Sequence, residues 1–166
     1  MITEQYQIFN HLLATKAQRF WNFVLDSIFV YILILSAGTT LALIGDTFNN
    51  LALSKWVEHL TPAEIIFYSI LIAFLYYFLT EVYFSRTLAK MLTKTIVVKF
   101  DGSKPTITAI FYRTASRLIP IDFISYMGAV PSGWHDALSR TYVVNRRDFI
   151  KDRTAFKKRK DRYILF

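Results

Sequence analysis

Hydrophobic side chains run almost unbroken over 20–44, "FWNFVLDSIFVYILILSAGTTLALI", where Asp26 is the only charged residue of 25. A helix rises about 1.5 Å per residue, so this stretch exceeds the roughly 30 Å hydrocarbon core and can cross it even when tilted. Gly38, Thr39 and Thr40 fit inside such a helix, because small and hydroxylated residues let transmembrane helices approach one another. A second apolar run, 65–84, reads "IIFYSILIAFLYYFLTEVYF". Before it stands "TPAE", in which Thr61 caps, Pro62 takes the first helical position and Glu64 closes a capping box. Aromatic residues crowd its later half and Glu81 lies near its end, as expected where a helix leaves a bilayer. Between the two runs, Trp56 and a mixed-charge patch suit a connector at headgroup level.

Beyond residue 84 the pattern changes. "TIVVKF" is β-branched and "DGSKP" is a turn signal, which predicts a short hairpin or strand, and "TYVV" at 141–144 offers a partner for "TIVV". A helical period resumes at Ala109, with Arg113 and Arg117 one turn apart, until Pro120 kinks or restarts it. The apolar piece 118–130 has 13 residues and contains Asp122, which predicts a re-entrant or interfacial segment and not a full crossing. The pattern therefore predicts an all-α membrane protein. It has two transmembrane helices, a short re-entrant or interfacial helical segment, and a small β-hairpin or strand pair on the cytoplasmic side. Residues 1–144 are expected to form the membrane domain and 145–166 a basic cytoplasmic tail.

Composition agrees. With 54% hydrophobic residues, 17% aromatics and a positive mean hydropathy, the chain is too apolar for an ordinary soluble domain. Its first residues are mixed in charge and the run after them is too long for a signal-peptide core, so an uncleaved anchoring helix is expected. The lack of cysteine excludes disulfides, iron–sulfur clusters and thiolate metal sites. His11, His59 and His135 are scattered without metal-ligand spacing, and no nucleophile elbow, phosphate-cradling loop or dinucleotide fingerprint occurs. Neither an enzyme nor a cofactor or metal is expected.

Charge is unevenly placed. Of the net +8, six units come from 145–166, which has nine Lys/Arg against three Asp. With Phe149, Phe156 and Tyr163 at seven-residue spacing, this tail predicts a basic amphipathic helix on anionic lipid headgroups. No nucleic-acid module accompanies it. Lys16 and Arg19 flank the first span, and Arg86, Lys90, Lys94, Lys99, Lys104, Arg113 and Arg117 follow the second, whereas the 45–64 connector carries one Lys against three acids. By the positive-inside rule, both termini face the cytoplasm.

Arg19 and Asp26 share a helix face, being 700° apart, but an axial offset of about 10 Å keeps them from pairing. Arg19 is expected to snorkel to the headgroups. Asp26 lies deeper, where a carboxylate costs several kcal/mol unless paired, hydrated or protonated, so a cationic partner from the C-terminal half is expected. That half concentrates Arg113, Arg117, Asp122, His135, Asp136 and Arg140. Two readings of Asp26 stand together: an ion- or proton-binding carboxylate, or a buried polar clamp that fixes helix packing. His135–Asp136 reads as a titrating relay, or as a helix start with Asp136 capping or pairing with an arginine. Arg113 and Arg117 suit lipid phosphate or counter-charge for the acids, and Glu81 a helix-end residue facing headgroups or a transport role.

"AQRFWNFVLD", "SRTLAKMLTKTIVVKFDG" and "GWHDALSRTYVV", in that order and at these separations, resemble the RDD family of small bacterial membrane proteins, named for one arginine and two aspartates. The resemblance covers 17–144 and implies that Arg19 is the family arginine, Asp26 the first aspartate and Asp136 the second. It departs at Ala89–Lys90, where the family commonly has Gly-Lys and a close backbone approach. It also implies a multi-pass protein of the bacterial inner membrane. Members have been proposed to move ions or small solutes, and some are described as cation/proton antiporters. Together these readings give a candidate charged site of Arg19, Asp26, Arg113, Arg117, His135 and Asp136, with a proton, cation or small solute as ligand. Two helices cannot enclose a pathway, so transport implies a homo-oligomer. The alternative is a membrane scaffold or accessory protein.

Overall fold

Two capping boxes start the two long helices. The computed structural model describes residues 6–117 and 134–164. Helix α1, Lys16–Thr47, begins where the Gln18 N–H donates to Thr15 Oγ1 at 3.2 Å and the Thr15 N–H donates to Gln18 Oε1 at 3.0 Å. Helix α3, Pro62–Phe84, begins at the expected "TPAE", with the Thr61 N–H on Glu64 Oε2 at 2.8 Å. Reciprocal caps of this kind satisfy N–H groups that the first turn leaves free. Both helices are long and apolar enough to cross a bilayer, and only 6% and 11% of their most apolar stretches are buried. A core helix of a soluble protein would be covered; these leave their apolar sides exposed.

The expected connector contains a helix of its own, α2, Leu51–Glu58, which folds back on the end of α1. Gly45 permits this, since a Cβ there would stand 2.9 Å from the Ser54 backbone nitrogen. Ser54 Oγ then donates to Asp46 Oδ1 at 2.7 Å.

At the other end of the long helices lies a cap. Short helix α4, Leu88–Leu92, leads into strand β1, Thr95–Lys99, and then α5, Ile107–Arg117. After the undescribed stretch come α6, Trp134–Leu138, strand β2, Thr141–Asn145, and α7, Arg146–Ile164. The strands pair antiparallel with Ile96 opposite Val144 and Val97 opposite Val143, so "TIVV" meets "TYVV" as expected. They do not form a hairpin. At the "DGSKP" turn Gly102 takes φ 71°, and the Ser103 carbonyl accepts from the Lys99 N–H at 2.9 Å, turning the chain into α5 instead. The N-terminal segment lies along β2, with the Ala14 N–H on the Val143 carbonyl at 2.8 Å. Leu12, Val98, Val144 and Phe149 form the buried apolar cluster beneath. The fold is thus mostly helical with a two-stranded sheet. The expected re-entrant segment, 118–130 with Asp122, lies outside the described residues.

Candidate charged site at the cap end of the membrane helices

Helix geometry gathers the charges. Residues 19, 22 and 26 recur at i, i+3 and i+7, so Arg19, Asn22 and Asp26 point the same way from α1, and all are at most 5% exposed. Helix α3 contributes Tyr76 and, one turn on, Glu81; α5 contributes Arg113 and Arg117 at i, i+4; α6 contributes His135 and Asp136. Short α4, capped by Thr87, adds Ala89 and Lys90.

These side chains divide into two groups. In the first, acids and cations alternate. Asp136 accepts from Arg19 Nη1 with one oxygen and from Arg113 Nη1 with the other, and His135 Nε2 lies 3.3 Å from the latter oxygen. Arg113 also donates to Thr141 Oγ1 at 2.9 Å, and its Nε stands 3.1 Å from Glu81 Oε2. Glu81 Oε1 is shared by Lys90 Nζ and by Arg117 Nη2 at 3.0 Å. The Arg117 guanidinium further lies over the Tyr77 ring, 4.6 Å from its centroid. Five helices are joined by this chain of contacts, and Glu81, Arg113, Lys90 and Asp136 are each at most 2% exposed.

Electrostatics follow from that crowding. Burial would raise the Asp136 pKa, but the charges of Arg113, His135 and Arg19 outweigh it and hold the carboxyl well below the usual carboxylate range. Lys90 moves the other way. Burial, with repulsion from Arg117 and Arg113, brings its pKa down to about 7 against the pull of Glu81, because that one carboxylate is divided among three cations.

The second group surrounds Asp26. Oδ1 accepts from the Tyr76 hydroxyl at 2.7 Å and faces the Ala89 N–H at 3.4 Å, while Oδ2 accepts from Thr87 Oγ1 at 2.8 Å. Every one of these donors is neutral. The Tyr76 oxygen in turn accepts from the Leu88 N–H, and the Thr87 oxygen from the Lys90 N–H, both at 3.3 Å. Beside it, Asn22 bridges Thr93 and Thr95.

Several expectations are thereby corrected. Among the described residues Asp26 has no cation in contact; hydroxyls and a backbone N–H take that place, because the arginines of α5 are engaged by Glu81 and Asp136. Arg19 does not snorkel. It is 4% exposed and turned inward onto Asp136. Ala89, in place of the family glycine, is fully buried and still brings its N–H to Asp26, so the close backbone approach survives a methyl group. Glu81 faces the interior and not the headgroups. Of the six named residues, Arg19, Arg113, His135 and Asp136 converge; Arg117 joins them through Glu81; Asp26 sits apart. Missed were Glu81 as a shared acid, Lys90, Tyr76, Thr87 and Asn22. The i, i+3, i+7 spacing could have revealed Asn22; Thr87 and Lys90 had no periodic signal in so short a helix.

Long, uncovered apolar helices closed by a buried polar layer define a membrane protein. The chain belongs to the RDD family, whose model matches residues 13–143. It is similar to the uncharacterized membrane protein YteJ of Bacillus subtilis (strain 168), with 27% identity over 154 residues, 89% of this chain and 90% of that protein. No solved structure matches it. Of the three charges singled out by the resemblance, Arg19 and Asp136 touch each other, and Asp26 touches neither.

Proposed function

We propose that this chain is a transporter subunit of the bacterial cell membrane, in which Asp26 takes up and releases a proton or a small cation. The observation that carries the reading is the neutral surroundings of Asp26. Tyr76 and Thr87 hold it through hydroxyls, and a hydroxyl both donates and accepts. An ionised Asp26 accepts from both; a protonated one donates to either oxygen, so the niche keeps its hydrogen bonds in both states. The same oxygens are hard ligands of the kind that bind small cations. With both termini cytoplasmic, as the basic flanks favour, Asp26 lies about two helical turns inward from Arg19. Two helices enclose no pathway, so the working unit is a homo-oligomer joined through the uncovered sides of α1 and α3.

Proteoliposomes carrying a pH gradient test this. Wild type should exchange protons for at least one monovalent cation, and Asp26→Asn should abolish exchange while retaining abundance and oligomeric state. No flux by wild type across a panel of cations and solutes removes the transport reading. A second reading, a membrane scaffold, is favoured by the ion chain through Asp136, Arg113 and Glu81, which has the form of a joint. Loss of assembly in Asp26→Asn would point to it.

A further inference from the structure

Helix α7 carries a strong charge whose neighbours differ from those its sequence predicts. An amphipathic helix lying in the headgroup region would bury Phe149 and Phe156 in lipid. Here Phe149 is 5% exposed in the apolar cluster, and Tyr6 packs edge-on against both rings, with centroids 6.2 Å and 5.2 Å away. The Tyr6 hydroxyl adds a hydrogen bond to Asp152 at 2.8 Å, which fixes the N-terminal segment along the same side of the helix. The apolar seam is occupied. What remains exposed is mainly basic: Arg146, Arg147, Lys151, Arg153, Lys157, Lys158, Arg159 and Arg162 outnumber the exposed acids Asp148 and Asp161, none of the eight forms an ion pair among the described residues, and Ile150 is the one large apolar side chain exposed among them.

Position selects the partner. The start of α7 is tied to Lys94 through the Arg146 N–H at 2.9 Å, and the strand before it pairs with Ala14, two residues ahead of the first residue of α1. The basic helix therefore emerges beside the point where α1 enters the membrane. We infer that α7 seats on the anionic headgroups of that leaflet through charge alone, with no apolar insertion. This contact is independent of any transport by Asp26. Each near-surface Lys or Arg strengthens such a seat about fivefold. Salt weakens it, since the Debye length falls from about 10 Å at 0.1 M to about 3 Å at 1 M.

The chain has no cysteine, so one introduced at exposed Thr154 labels α7 uniquely in the full-length protein. In nanodiscs, quenching of a fluorophore at Thr154→Cys by headgroup-labelled lipid should be strong with phosphatidylglycerol present and weak in phosphatidylcholine alone. Salt at about 1 M should release it. Lys157→Gln, Lys158→Gln and Arg159→Gln together should weaken the seat roughly 100-fold without touching the Phe149 cluster. Equal quenching in both lipids overturns the inference. So does quenching that survives salt, which would mean apolar insertion. Tighter binding of a soluble oligonucleotide than of anionic discs, in the same label, overturns it in favour of nucleic acid.

Discussion

Asp26 and Asp136 are both aspartates and both at most 3% exposed, yet they are held by opposite kinds of neighbour. Asp136 lies between Arg19 and Arg113, whose guanidiniums only donate, so its ionised form is fixed. Glu81 stands likewise among Lys90, Arg113 and Arg117. Asp26 meets Tyr76, Thr87 and a backbone N–H, and its two hydroxyl partners can reverse roles. Burial of a carboxylate is thus compensated in two ways within one polar layer. Fixed cations make a joint that titration would break, whereas hydroxyls make a niche whose partners can donate or accept.

The comparison is broken most directly at Asp136. Asp136→Asn leaves Arg19 and Arg113 buried without a negative partner, and removing one member of a buried ion pair costs about 3–5 kcal/mol. The variant should fail to accumulate, or unfold far below wild type on heating in detergent; an unchanged midpoint would deny the joint. Next comes Glu81→Gln, which should cost about 3 kcal/mol. Because three cations share that acid, adding Lys90→Met should recover part of the loss. Simple additivity in this double-mutant cycle would show that the carboxylate is not shared.

How much of this could be read beforehand depends on the kind of signal each element leaves. The long helices were legible because apolar runs and the "TPAE" cap are local, and the strand pair because "TIVV" and "TYVV" are alike. The partner of Arg19 was not, since Asp136 is 117 residues away and nothing periodic links them. The same holds for Asp26: a carboxylate within an apolar run announces that it needs compensation, but not whether arginine or hydroxyl provides it. Thr87 and Tyr76 look ordinary in sequence and become specific only once α4 turns back against α1. The seven-residue spacing of Phe149 and Phe156 was visible, but not that Tyr6, in the far N-terminal segment, packs on both rings.

Asp26→Asn sharpens the contrast with a smaller effect. The amide oxygen still accepts one hydroxyl bond and no cation is stranded, so about 1.5–3 kcal/mol should be lost, the worth of a hydrogen bond to a charged group. The folded, assembled variant should then be measurable for flux. A loss as large as that of Asp136→Asn would erase the distinction between niche and joint.

The smallest effect belongs to Lys90, the one cation of the Glu81 group that can give up its proton near neutrality, since Arg113 and Arg117 stay charged. Its pKa is about 7 in the fold against an ordinary 10.5. Below pH 7 both folded and unfolded chains carry the proton, so stability does not vary with pH through this group. Between the two values only the unfolded chain binds it, so stability rises with pH, by no more than about 1.4 kcal/mol per unit. Unfolding midpoints in detergent from pH 6 to 9 should therefore climb in wild type relative to Lys90→Met, and parallel curves would refute the shared-acid account. Asp26 pulls on Lys90 less than Glu81 does. Asp26→Asn should consequently move the onset of that climb only slightly downward in pH, whereas a large displacement would mean that niche and joint titrate as one unit.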